Sequence, residues 1–385
     1  MKIVYLSTGL NMGGAEVMLY NLLANLDRDR FEPTVISLIN QGIFGKKIEQ
    51  LGISVHSVGM LQGKPSIKSI QNLLKLLQQI QPDLIQGWMY HGNLAAQLAN
   101  FFRVRKTPIL WSIHHSLHSI SKEKPLTQAI IRFGSWTSKY VSQVAYVSEK
   151  SQNQHQKIGY AKDNGCLIPN GFDTSQFQPN PQARQKFRRE LNISDDIFLI
   201  GSLARYHPMK DHANFFRAAK VLLSKFPETR FVAIGTNVDY ENKTLTDLIA
   251  ELEIVDKVYL LGQRLDIPQI TPALDILTSS SAFGEAFPLV LGEAMSCEVT
   301  CVVTDIGDSA WIVGDTGKVV PPKNSKALAQ AWQETIELEP EVRRQLGQAA
   351  RNRIVEKFSL DTIVKQYENL YESIFQSNST KSQKY

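Results

Sequence analysis

The run Ile276-Leu277-Thr278-Ser279-Ser280-Ser281-Ala282-Phe283-Gly284-Glu285-Ala286-Phe287-Pro288-Leu289-Val290-Leu291-Gly292-Glu293-Ala294-Met295 decides how this chain folds. Its first three residues read as a strand, the next few as a loop of small residues, and Pro288 as the opening of a helix. Proline tolerates the first helical position because the amide there has no partner in any case. Strand, loop and helix in that order are the repeating phrase of a parallel α/β sheet. At such a helix start the unpaired N–H groups of Leu289 and Val290 and the aligned peptide dipoles make an anion site fit for a pyrophosphate. Glu285 closes the loop. Glu293, further along the helix, can accept two hydrogen bonds in a fork from vicinal hydroxyls of a ribose.

The same phrase recurs on both sides of this stretch. Strand-like runs stand at 2–7, 34–39, 53–57, 83–87, 108–113, 143–147 and 165–168, and a second series at 198–203, 230–234, 258–261, 276–278 and 300–303. A polar, proline-bearing segment from Asn170 to about Ile193 separates them and reads as the crossing between two lobes. A chain of 385 residues exceeds what one core organises. The expected fold is therefore α/β, with two parallel sheets facing across a cleft and the ligand beyond the carboxyl ends of the strands. The expected divisions are 1–175 for an acceptor-side domain and 176–358 for a nucleotide-binding domain. Residues 359–375 should form a helix near the lobe junction, and the polar tail 376–385 should be disordered.

Composition narrows the class. Cys166, Cys297 and Cys301 are too few and too unevenly spaced for a disulfide framework or a Cys-x-x-Cys site. No run approaches the length of a membrane span, and the opening residues are too short an apolar stretch for a signal peptide. A cytoplasmic location is expected, on the inner face of the cell membrane if a surface is contacted. Up to Ser175 the chain carries eighteen Lys and Arg against ten Asp and Glu, and beyond it twenty-four against twenty-seven. The basic excess of the first half suits an anionic acceptor or an acidic bilayer. Groups such as Arg103, Arg105 and Lys106 form no basic stripe interleaved with aromatics, which argues against nucleic acid. The helical stripe within Ser66 to Ile80 fits a membrane-lying helix, but a helix covering a sheet shows the same pattern. Asp27-Arg28-Asp29 has the spacing of a metal-binding Asp-x-Asp, yet it closes a helix rather than a strand and reads as surface charge.

With Glu285 and Glu293 eight apart in this setting, the sequence resembles the retaining glycosyltransferases of family 4, of the two-Rossmann-domain (GT-B) architecture, whose hallmark is Glu-x7-Glu. Further matches follow the family's order over nearly the whole chain. Arg205 and Lys210 follow the first strand of the second lobe, where two cations can neutralise a leaving diphosphate. Gly13 and Gly14 after the first strand resemble the family's close-approach pair, and Gly262 its backbone contact to the base. Asn170-Gly171-Phe172-Asp173 looks like the junction signature, its glycine read as making a tight turn. His114, in Trp111-Ser112-Ile113-His114-His115-Ser116, matches the family's histidine near the donor sugar, although its doubling by His115 leaves the choice open. His91 has no settled role.

The resemblance thus implies Glu285, Arg205, Lys210 and His114 as catalytic residues, and Gly13, Gly14, Gly262, Phe287, Leu289, Val290 and Glu293 as the donor site. It implies retention of configuration with no bound metal and no cofactor. The donor would be a nucleoside-diphosphate sugar of the UDP or GDP type, and the acceptor a saccharide or lipid-linked hydroxyl in polysaccharide or glycolipid synthesis. An epimerase or phosphorylase could share the same diphosphate clamp. A non-catalytic protein is the other alternative, with the missing signal peptide standing against a sugar-binding receptor and the retained Glu285, Glu293, Arg205 and Lys210 against a scaffold.

Overall fold

The computed structural model describes residues 1–11, 13–61, 66–102, 106–117 and 120–382, so Arg103 and Arg105 of the basic group lie outside the described residues. It divides into two compact units, Met1–Gly171 with Leu360–Tyr385, and Phe172–Ser359.

The first unit is built on a seven-stranded sheet of β1 (Lys2–Ser7), β2 (Glu32–Ser37), β3 (Ser54–Ser57), β4 (Leu84–Trp88), β5 (Ile109–Ile113), β6 (Gln143–Tyr146) and β7 (Gly165–Leu167). Their spatial order is β3-β2-β1-β4-β5-β6-β7, and each strand pairs parallel to its neighbours. β4 and β5 are buried at every residue, as a sheet covered by helices on both faces requires. One face packs Ile3, Tyr5, Leu19, Leu22 and Trp88 with Ile363, Tyr367 and Tyr371 of the closing helix Leu360–Ser382. Tyr371 donates to Gln86 Oε1 at 2.7 Å, and Tyr5 donates to Tyr371 at 3.1 Å. The C-terminal helix therefore belongs to the N-terminal sheet. It also runs to Ser382, through part of the tail read as disordered; Ser377 Oγ donates to the Ser373 carbonyl at 2.8 Å there.

The second unit carries β8 (Leu199–Leu203), β9 (Arg230–Ile234), β10 (Val258–Leu260), β11 (Ile276–Ser279), β12 (Thr300–Thr304) and β13 (Lys318–Val320), in the order β10-β9-β8-β11-β12-β13. All pairings are again parallel. In each sheet the order reverses direction once, between β1 and β4 and between β8 and β11. Loops leaving the carboxyl ends of those strands diverge and open the crevice in which such sheets take ligands.

Three features depart from the sequence reading. The polar segment up to Ile193 contains a helix, Pro181–Glu190, capped by the Asn180 side chain accepting from Ala183 N at 3.0 Å. It looked like linker because its buried face includes Arg188, whose Nη2 donates to Asp275 at 2.5 Å and whose Nη1 donates to the carbonyls of Ser194 and Ile197. β13 is only three residues long and escaped notice. Gly171 is not in a left-handed turn. Its lack of a side chain serves close packing, since a Cβ there would lie 2.9 Å from Leu360 Cα. Among the described residues no helix is long and apolar enough to cross a membrane.

Candidate active site

In the second unit the loops after β8 and β11 are stitched together. Beyond β8, Ala204 N donates to the Ile234 carbonyl at 2.9 Å and Tyr206 N to that of Thr236 at 2.8 Å, extending the ladder past Arg205. Pro208–Lys210 is a single tight turn whose start is held by His207 Nδ1 accepting from Met209 N at 3.2 Å. The loop after β11 then grips that turn. Ser280 Oγ donates to the Lys210 and Asp211 carbonyls at 2.8 and 3.2 Å, and Ala282 N to the Met209 carbonyl at 2.8 Å. Gly284 has φ +79, and a Cβ there would meet Met209 Sδ at 2.9 Å, so only glycine lets the loops approach.

This stitching sets the chemistry of Glu285. Its buried carboxylate accepts from Ser281 Oγ at 2.7 Å and from Lys210 Nζ. Lys210 is thus the counter-ion of Glu285, a pairing the sequence reading, which set Lys210 beside Arg205 for the diphosphate, did not foresee. Arg205 behaves differently. It is exposed, and among the described residues its guanidinium has no hydrogen-bond or ion-pair partner, so its charge stays available to a ligand.

The helix after the loop runs Leu289–Ser296, with Pro288 as its N-cap rather than its first residue and no side chain capping it. The first-turn amides of Leu289 and Val290 keep the donor capacity such a start provides. Phe287 is a correction to the expected donor set. Its ring is buried, stacked on Phe172 at 5.9 Å and edge-on to Trp311 and Phe358. The side chain anchors the loop to the core and has no face left for a ligand.

An open depression of about 230 Å³ lies at the carboxyl ends of β8, β9 and β10. Its walls include Arg205, Val290, Glu293, Thr236 and Gln263. Gly262, at φ +63, immediately precedes the wall residue Gln263, and its carbonyl accepts from Gly235 N of another wall at 2.9 Å. Gly235, Thr236 and Gln263 were missed in the sequence, although each directly follows a strand of the second series. Arg264 also lines the depression, but Glu190 and Asp266 hold its guanidinium at 2.6 and 2.9 Å, which makes it a fixed wall.

Glu293 is the titratable group of this depression. Burial pushes its carboxyl up to about 7. Its folded pKa therefore lies above the unfolded one, the unfolded chain gives up the proton first as pH rises, and stability falls between about pH 4.5 and 7 and stays low above. Glu293→Gln should accordingly raise the melting temperature at pH 8 by a few degrees and leave it unchanged at pH 4. Equal melting shifts at both pH values would show that the carboxyl is not perturbed.

In the first unit, Gly13 and Gly14 start the helix Gly14–Asn25, again without a side-chain cap. A Cβ on Gly13 would collide with Glu16 Oε2 at 2.3 Å. The paired histidines part company. His115 Nε2 pairs with Glu123 at 2.9 Å and its carbonyl accepts from Ser151 Oγ, a structural arrangement. His114 instead lies on Trp88, ring centroids 4.4 Å apart, and Trp88 Nε1 donates to the Ala15 carbonyl at 2.9 Å. Both nitrogens of His114 and Oδ1 of neighbouring Asn170 are buried, and the Asn170 side chain is the group set against the imidazole to hydrogen-bond it. Burial drives the imidazole pKa down to about 3, so the ring is neutral. The pair leaves hydrogen-bonding capacity unused in a buried place, which a native fold tolerates where a ligand completes it. Asp27 and Asp29 lie in the turn before β2, with Asp27 beside Arg30, which also pairs with Glu368 and Glu372.

Comparison with known proteins bears on both units. The chain matches the model of "Glycosyltransferase Family 4" over residues 12–176 and that of "Glycosyl transferases group 1" over residues 183–353. It is 23% identical over 355 residues to the putative glycosyltransferase EpsF of Bacillus subtilis, covering 87% of this chain and 86% of that one. It is 22% identical over 314 residues to the UDP-Gal:alpha-D-GlcNAc-diphosphoundecaprenol alpha-1,3-galactosyltransferase of Escherichia coli, covering 79% of each. The crystal structure of Anabaena Alr3699/HepE in complex with UDP matches with a TM-score of 0.85 at 25% identity, over 97% of this chain and 100% of that one. The same protein in complex with UDP-glucose matches at 0.82.

Proposed function

The chain belongs to the retaining glycosyltransferases of family 4, enzymes that use nucleotide sugars, and from that premise we propose that it transfers a hexose from a UDP-sugar to a hydroxyl of a growing polysaccharide or glycolipid. The observation that carries this reading is the depression shared by Arg205, Val290 and Glu293 beside an uncapped helix start. The base lies against Thr236, Gly262 and Gln263, and Glu293 accepts from the ribose hydroxyls. The diphosphate rests on the Leu289 and Val290 amides with Arg205 facing it. Glu285, held by Lys210 and Ser281, accepts from hydroxyls of the sugar.

In the reaction the bond from the anomeric carbon to the β-phosphate oxygen breaks and that carbon bonds to the acceptor oxygen. The acceptor's proton passes to the departing phosphate. Negative charge grows on the diphosphate as the bond opens, and Arg205 and the helix amides stabilise the transition state more than the ground state. No protein nucleophile is required.

The uridine assignment draws on the HepE complexes with UDP and UDP-glucose. Titration calorimetry with UDP, GDP and ADP is expected to give UDP at least tenfold the tighter affinity. UDP affinity should weaken as pH falls from 8 to 6, because a protonated Glu293 loses half its accepting fork, and Glu293→Gln should bind more weakly with no such pH trend. Equal affinity for the three nucleotides would overturn the uridine assignment.

A further inference from the structure

The first unit holds a second concavity that the donor does not use. An apolar groove of about 250 Å³ runs between the helices Ile67–Ile80, Met89–Phe101 and Pro125–Thr137. Leu73, Leu94, Ala95 and Ile130 are among its walls. Its inner end meets Leu38, Val58 and His91, which follow β2, β3 and β4, so it starts at the carboxyl edge of the sheet. Its outer rim keeps Ile70, Leu126 and Phe102 exposed, the last at 65%. An apolar channel from a ligand-binding sheet edge to an apolar rim has the shape of a site for a hydrocarbon chain.

Two independent features say what kind of molecule carries that chain. The helix Pro125–Thr137 continues the apolar rim outward through Phe133 and Trp136 to Tyr140, all exposed and stacked edge to face along one stripe. Exposed tryptophan and tyrosine in a row are the side chains that settle at the boundary between lipid headgroups and hydrocarbon. Charge points the same way. Between Val58 and Ser148 the sequence has ten Lys and Arg against two carboxylates, Asp83 and Glu123. The three helices that wall the groove contain no carboxylate, while Lys68, Lys75 and Arg132 stand on them. A core-only role for the stripe in Ile67–Ile80 would bury it, yet only Leu73 and Leu77 of its apolar residues are buried while Ile67 and Ile70 are exposed.

From this we infer that the groove binds the hydrocarbon tail of an anionic lipid drawn from a bilayer, with Trp136 and Tyr140 seated at the headgroup level and the polar head lying toward His91 at the sheet edge. That this lipid is the sugar acceptor rests on the transferase reading above; the binding of the tail does not.

The test uses the full chain and a fluorescent lysophosphatidylglycerol with a sixteen-carbon tail, together with vesicles of phosphatidylcholine with or without phosphatidylglycerol. Micromolar probe binding is expected, with sedimentation on the phosphatidylglycerol vesicles and at least tenfold less on the neutral ones. Ala95→Trp, which fills the groove, should weaken probe binding at least tenfold. Trp136→Ala with Tyr140→Ala should reduce vesicle sedimentation several-fold, and in both variants UDP affinity should stay that of the parent. Absence of probe binding, or equal binding by Ala95→Trp, overturns the inference while leaving the transferase reading intact. Probe binding without UDP binding would do the reverse. A concentration-dependent dimer abolished by Ala95→Trp would assign the groove to a second copy of the chain and also overturn the inference.

Discussion

Arg205→Ala is expected to lower kcat by a factor of about 10² to 10³, equivalent to about 2.7–4 kcal/mol of transition-state stabilisation, without changing the melting temperature. The reason lies in what the guanidinium lacks. It is exposed, and no side chain or carbonyl among the described residues partners it, so truncation removes neither a buried contact nor a counter-ion. Everything it contributes is reserved for the substrate. Arg205→Lys should recover part of the rate, because a point charge neutralises the leaving diphosphate but cannot bridge two of its oxygens. Steady-state kinetics beside thermal unfolding check both statements. A large drop in melting temperature, or unchanged kcat, would remove Arg205 from the proposed role.

Lys210→Ala is expected to behave in the opposite manner on stability. Its ammonium is the counter-ion of a carboxylate that is buried and, among the described residues, otherwise hydrogen-bonded by the Ser281 side chain. Removing one partner of such a pair leaves an uncompensated charge, at a cost of roughly 3–5 kcal/mol. The melting temperature should fall by several degrees and kcat by 10²-fold or more. Replacing both partners by neutral residues of similar shape, Lys210→Met with Glu285→Gln, should restore most of the stability and none of the activity. Activity returning along with stability would mean that the pair is architectural and that the sugar is held elsewhere.

The contrast between these two cations marks where the sequence stops being informative. Both follow β8 within a few residues, and nothing in residue type separates them. Their difference comes from a three-residue turn at Pro208–Lys210 and from a loop seventy residues later that folds onto it. Contacts of that kind depend on tertiary placement. The same holds for His114 and His115, which are neighbours in the chain but part at the end of β5, one to Glu123 and the other to the face of Trp88. By contrast, the alternation of strand and helix was plain. Strands buried on both faces are written as continuous apolar runs, and the helix after β11 announced itself through Pro288 and the small residues before it. Where the pattern misled, polar residues were buried or apolar ones had another duty. Arg188 disguised a helix as linker, and Phe287 stood in a ligand-binding phrase while serving the core.

One feature of the fold governs how the protein comes into being. The first sheet takes part of its core from Ile363, Tyr367 and Tyr371, and Gln86 in its centre is hydrogen-bonded by the last of these. During synthesis these residues are made only after the whole of the second unit, Phe172–Ser359, which separates them from the strands they cover. Domains ordinarily mature in the order in which they are translated. Here the first sheet must wait with an open apolar face while the intervening unit is translated, so the N-terminal half is the client that chaperones must shield, and loss of the helix Leu360–Ser382 would damage the sheet that opens the chain.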